Sequence, residues 1–84
     1  MDDYRKEILT TSLEARKREV LEYAINIENF QLALKEIEND SSMVEFKQRL
    51  EQLLGEHIRE HKKASVMLTV LEAQCKAFAD SGAV

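Results

Sequence analysis

Between Leu13 and Leu34 an apolar residue returns at every seventh position, at Leu13, Val20, Ile27 and Leu34, with Tyr23 and Phe30 at the complementary positions between them. Such a repeat keeps one side of a helix facing a neighbouring helix along its whole length. Extended in both directions, it gives the first helix an inward set of Leu9, Leu13, Val20, Tyr23, Ile27, Phe30, Leu34 and Ile37, interrupted only by Arg16. A rod of some 36 residues is roughly 54 Å long at about 1.5 Å per residue, and it needs a partner along that length.

Asn39, Asp40, Ser41 and Ser42 are the chain's only cluster of turn-forming residues. Ser42 followed by Glu45 fits a capping box that opens a second helix. On that helix Met43, Phe46, Leu50, Leu53, Ala64, Met67, Leu71 and Phe78 fall on one face, and Asp80, Ser81 and Gly82 supply a stop. A short connection favours antiparallel neighbours. The expected fold is all-α: an antiparallel, coiled-coil-like two-helix hairpin in one domain spanning 1–84, with helices over about 3–38 and 43–79 and a turn at 39–42. Asp2 and Asp3 place carboxylates against the free amides of the first turn. Composition agrees, since Ala, Glu, Lys, Leu and Arg fill 42 of the 84 positions and proline is absent. Gly55 is the one helix-weakening residue inside the second rod; it reads as tolerated, or else as a point of close helix approach or slight bending.

Two helices leave apolar residues over. Leu21, Ile25 and Leu32 on the first helix, with Leu54, Ile58, Leu68 and Val70 on the second, lie off the seam and are expected to form an oligomer interface. A domain of 84 residues has a marginal core of its own. The expectation is a homodimer forming a four-helix bundle, or a higher oligomer.

The most chemical-looking segment is His57-Ile58-Arg59-Glu60-His61, which resembles the HxxEH pattern of the inverted zinc proteases, where two histidines one helical turn apart flank a general-base glutamate. The likeness ends after those five residues. Such an enzyme also needs a third ligand, a cleft and far more chain than follows His61, so His57 and His61 are weak metal candidates and no hydrolase is expected. Folding at the serines instead sets Arg16, Tyr23, His57 and Glu60 together as a mid-bundle polar layer, with Arg16 pairing with Glu60 and the Tyr23 hydroxyl reaching His57. A layer of this kind holds register more than it adds stability. The same fold-back brings Arg16, Lys17 and Arg18 towards Arg59, Lys62 and Lys63, a basic belt suited to an acidic protein surface or a phosphate-bearing ligand. The alternative is a solvated face whose cations pair with nearby glutamates.

Nucleic-acid binding is not expected at a net charge of −4 and a pI near 5.2. The single Cys75 allows no internal disulfide, and neither a leader nor a membrane span is evident, so the expected setting is cytoplasmic. Cys75, Met43 and Met67 read as packing residues, and Thr10, Thr11 and Ser12 have no base to activate them. No catalytic residue and no cofactor is expected. The functional expectation is a non-enzymatic, oligomeric helical interaction module acting as adaptor, small chaperone, assembly factor or inhibitor. The alternative is a bundle that binds a small ligand or metal through the polar layer. In general form such hairpins resemble the small secretion chaperones and the compact proteins that bacteriophages encode, a likeness without a diagnostic motif that gives no residue a role.

Overall fold

The computed structural model describes residues 2–80. Helix α1 spans Asp2–Glu36, a 3-10 turn covers Ser41–Met43, and helix α2 spans Val44–Asp80, with no strand among the described residues. Helix α2 folds back antiparallel on α1. The Cys75 thiol meets the Leu9 carbonyl at 3.8 Å near one end, while the rings of Tyr23 and His57 meet midway. The result is a rod of 62 × 15 × 14 Å, two helices wide and one helix thick. No described helix is long and apolar enough to cross a membrane.

The reversal depends on Asp40. Its backbone is extended at φ −100° and ψ 102°, and its carboxylate accepts from the Ser42 amide at 3.0 Å and from the Ser42 hydroxyl. The cap is thus Asp40, two residues before the capping box expected at Ser42, whose hydroxyl is turned back onto that carboxylate. Ser81 and Gly82, expected to stop α2, lie outside the described residues.

On α1 the seam is the expected one: Leu9, Leu13, Arg16, Val20, Tyr23, Ile27, Phe30 and Leu34 are all half-buried, as is Ile37 just past the helix end, and the residues between them mostly face solvent. On α2 it differs. The covered residues run Leu50, Leu54, His57, His61, Ala64, Leu68, Leu71, Cys75 and Phe78, in alternating steps of four and three. Met43, Phe46 and Met67, expected inside, are 38%, 50% and 43% exposed, whereas Leu54 and Leu68, expected in an oligomer interface, are half-buried on the seam. Leu50, His57, Ala64, Leu71 and Phe78 belong to either set, and one position to each side, about 100° round the helix, decides the rest. Residues 60 and 74 would have had to go inside with Met67; as Glu60 and Gln74 they cost more to desolvate than His61 and Cys75. Met43 misses the seam because it falls in the 3-10 turn.

Among the described residues only Leu50 and Ala64, at 4% and 3% exposure, are fully covered. Ala64 leaves room for the helices to approach; Leu50 fills the space near the turn. Gly55 is not a point of helix approach, since a Cβ there meets the Arg59 Nη1 at an ordinary 3.6 Å.

Leu50→Ala is expected to remove about 2–3 kcal/mol of stability in urea unfolding, because a one-layer core has little to collapse into the space. Gly55→Ala is expected to add up to about 1 kcal/mol through helix propensity; a loss would mean the glycine is structurally required. The Ser42 hydroxyl and amide hold the Asp40 carboxyl below its ordinary value of 3.8, so the cap contributes above that pH and is lost as pH falls through the lowered value. A carbon NMR titration is expected to show Asp40 ionising below its ordinary value of 3.8.

Candidate functional site

Midway along the seam α2 presents His57 to two aromatic rings of α1. Tyr23 meets it edge-on with centroids 5.7 Å apart and planes at 70°, and Phe30 with centroids 4.9 Å apart and planes at 75°. Tyr23 and Phe30 are one heptad apart, so they rise from the same side of α1. The His57 Nδ1 lies 2.9 Å from the Leu53 carbonyl oxygen, one helical turn back. A carbonyl only accepts, so Nδ1 carries the hydrogen, and in the neutral ring Nε2 keeps the lone pair. The imidazole is held by one local hydrogen bond and two ring edges, the geometry that aromatic quadrupoles favour.

The sequence placed Tyr23 and His57 together, and the structure does so as well, but the contact is between rings and not through the Tyr23 hydroxyl. Phe30, read as a plain core residue, completes the cage. Its place one heptad beyond Tyr23 was the signal in the sequence. The charged half of the expected layer does not form. Arg16 donates to Glu19 at 2.9 Å on its own helix, and Glu60 accepts from Lys63 at 3.1 Å on the exposed side of α2. The choice of seam residue on α2 explains this: Glu60 turns out together with Met67, beyond reach of Arg16.

The basic belt is dispersed in the same way. Lys17 pairs with Glu14 at 3.6 Å and Arg18 with Glu22 at 3.6 Å, while Arg59 lies along α2 above Gly55. Lys62 is exposed. Arg16 borders the seam, Arg18 is 83% exposed on the outer side of α1, and Arg59 is on the outer side of α2, so these cations point in different directions. Intrahelical ion pairs of this spacing hold little energy, but they lower the local positive field.

His57 and His61 share the covered side of α2, yet no group of three or more histidine, cysteine, aspartate or glutamate residues able to hold a metal ion occurs among the described residues. A tetrahedral zinc site closed by protein takes four ligands and a catalytic one three. The likeness of these five residues to the inverted zinc protease pattern therefore has no ligand set behind it within one chain.

The surface also carries hollows. One of about 430 Å³ lies where α1 and α2 meet, lined by Ser12, Ala15, Arg16 and Glu19 on α1 and by Met67, Val70, Leu71 and Gln74 on α2. A neighbouring one of about 360 Å³ lies on α1 alone, among Tyr4, Glu7, Ile8, Thr11 and Ser12, the last of which it shares with the first. A third, of about 480 Å³, runs among Glu14, Ala15, Lys17, Arg18 and Leu21 on α1 alone. Comparisons with protein-family models, with curated proteins and with solved structures find no match to this chain.

His57→Ala is expected to cost on the order of 1–2 kcal/mol in thermal or urea unfolding, from two lost ring contacts and the hollow between them. Arg16→Leu combined with Glu60→Leu is expected to change stability by less than about 1 kcal/mol, as each breaks only a pair within one helix and none that crosses the seam. A larger loss in the double variant would mean that the two charges interact across the seam.

Proposed function

We propose that this chain is a non-enzymatic protein-interaction module that works as a homodimer, forming a four-helix bundle, or as a higher homo-oligomer. The observation that carries the reading is the uncovered surface. A folded monomer of 9.7 kDa exposes about 5,100 Å² by the usual scaling with mass, whereas this hairpin exposes 6657 Å². The excess, about 1,500 Å², is larger than the roughly 800 Å² that each partner covers in an interface of standard size. A rod one helix thick cannot cover both sides of its helices, and large apolar side chains remain outside on both, Ile8, Leu21, Ile25 and Leu32 on α1 and Ile58, Val66 and Val70 on α2. Surplus surface of that extent with large apolar side chains on it favours association.

Of the residues expected in the oligomer interface, Leu21, Ile25, Leu32, Ile58 and Val70 are exposed and free to contribute; Leu54 and Leu68 already serve the seam. The hairpin supports roles in which one helical surface captures another: adaptor, small chaperone, assembly factor or inhibitor. Sedimentation equilibrium is expected to return at least twice the chain mass, and the melting temperature is expected to rise with protein concentration. A single species at the chain mass across the concentration range, with a melting temperature independent of concentration, rejects the proposal.

A further inference from the structure

We infer that a second copy of this chain docks along the outer stripe of α1, from Ile8 to Leu32, with the two α1 helices antiparallel and the twofold axis between Arg18 and Glu22. The inference rests on the self-association proposed above and names the face and the register that perform it. On the side of α1 away from α2, the residues met in alternating steps of three and four between Ile8 and Leu32 are all exposed. That spacing keeps them on one line along the helix, about 36 Å long at about 1.5 Å per residue.

What points to a second copy is that the stripe is its own complement, as a twofold contact requires. Laid antiparallel, Ile8 faces Leu32 of the other copy, Thr11 faces Asn29, Ala15 faces Ile25 and Arg18 faces Glu22, and each pair recurs across the axis. Apolar residues meet apolar ones, the uncharged polar pair meets itself, and the only two charges on the line meet with opposite sign. Other alignments fail. A slip of one heptad sets Ile25 against Glu22 in one direction or Ala15 against Arg18 in the other, and a parallel pairing sets Arg18 against Arg18.

The relief of the surface agrees. Ile25 and Leu32, 48% and 57% exposed, stand one heptad apart as knobs. Two hollows on α1 alone contain the residues that face them: one of about 480 Å³ includes Ala15, and one of about 360 Å³ includes Ile8, a heptad away. Ile25 of the other copy enters the first and Leu32 the second, the knobs-into-holes packing of a coiled coil. The Arg18 Nε already lies 3.6 Å from Glu22 on its own helix, so two such pairs meet at the axis as a ring of alternating charge. The ring adds little net affinity, but a wrong alignment breaks it, and so it fixes the register.

Sedimentation equilibrium on the full chain tests the inference, with circular dichroism as the check on helix content. Ile25→Glu combined with Leu32→Glu is expected to weaken the dimer at least about 30-fold, the effect of losing central anchors. Val66→Glu, on the outer side of α2, is expected to leave it intact. Arg18→Glu puts two acids beside the axis and Glu22→Arg two bases. Each of these chains alone is expected to dimerise at least about tenfold more weakly than wild type, and their equimolar mixture to recover the dimer, because opposite signs then meet only between unlike chains. Both are helix-forming substitutions, so this arm decides the matter if the first variant loses helix. A wild-type dimer that survives Ile25→Glu with Leu32→Glu, that is lost in Val66→Glu, or whose charge variants show no preference for each other overturns the α1 contact and leaves self-association standing. A monomeric wild type overturns both, and leaves the stripe to a helix of a different protein.

Discussion

Everything in this fold depends on the lengthwise contact between α1 and α2, because among the described residues no third long helix and no strand exists to bury anything else. Each helix has one covered side, and along a rod of 62 Å only Leu50 and Ala64 lose nearly all their exposure. The other seam residues stay half in water. Hydrophobic burial scales with the area removed from water, so such a core offers little reserve against the entropy of ordering some 80 residues. The thinness that makes the hairpin marginal also leaves its apolar surplus outside. A single physical cause therefore links the weak core to the proposed association.

The polar residues that enter the seam are satisfied locally. His57 bonds to Leu53 on its own helix and turns ring edges towards Tyr23 and Phe30, and Arg16 bonds to Glu19 three residues along α1. Among the described residues no ion pair spans the two helices, so the register between them is carried by shape: large rings around one imidazole, a small Ala64, and the Cys75 thiol against the Leu9 carbonyl. An alignment fixed in this way tolerates loss of charge better than loss of volume.

Most of the fold was legible in the residues. The stripe of α1 runs from Leu9 to Ile37 in heptad steps broken only at Arg16, while Ile8, Leu21, Ile25 and Leu32 lie off it without making a second stripe of that length. The four turn formers at 39–42 left one place for reversal. On α2 the pattern was ambiguous, because Leu53 and Leu54, and Met67 and Leu68, are adjacent apolar pairs, and a stripe through either member keeps the same spacing. The candidate site inherited that ambiguity. Choosing the stripe through Met67 brought Glu60 inward to Arg16 and left His61 outside, and the cross-helix ion pair and the belt of cations both followed from that choice. The relative cost of burying Glu60 or His61 was the one clue that favoured the other stripe.

The sequence by itself determined what local physics settles: two long helices from heptad spacing and propensity, one reversal from its turn residues, and more apolar surface than two helices consume. Only the tertiary structure decided which of two neighbouring stripes α2 turns towards α1, because a step of one residue rotates a helix by about 100° and either stripe satisfies α2 alone. That rotation is set by the side chains of the opposite helix. It also decides which apolar residues of α2 are left facing solvent.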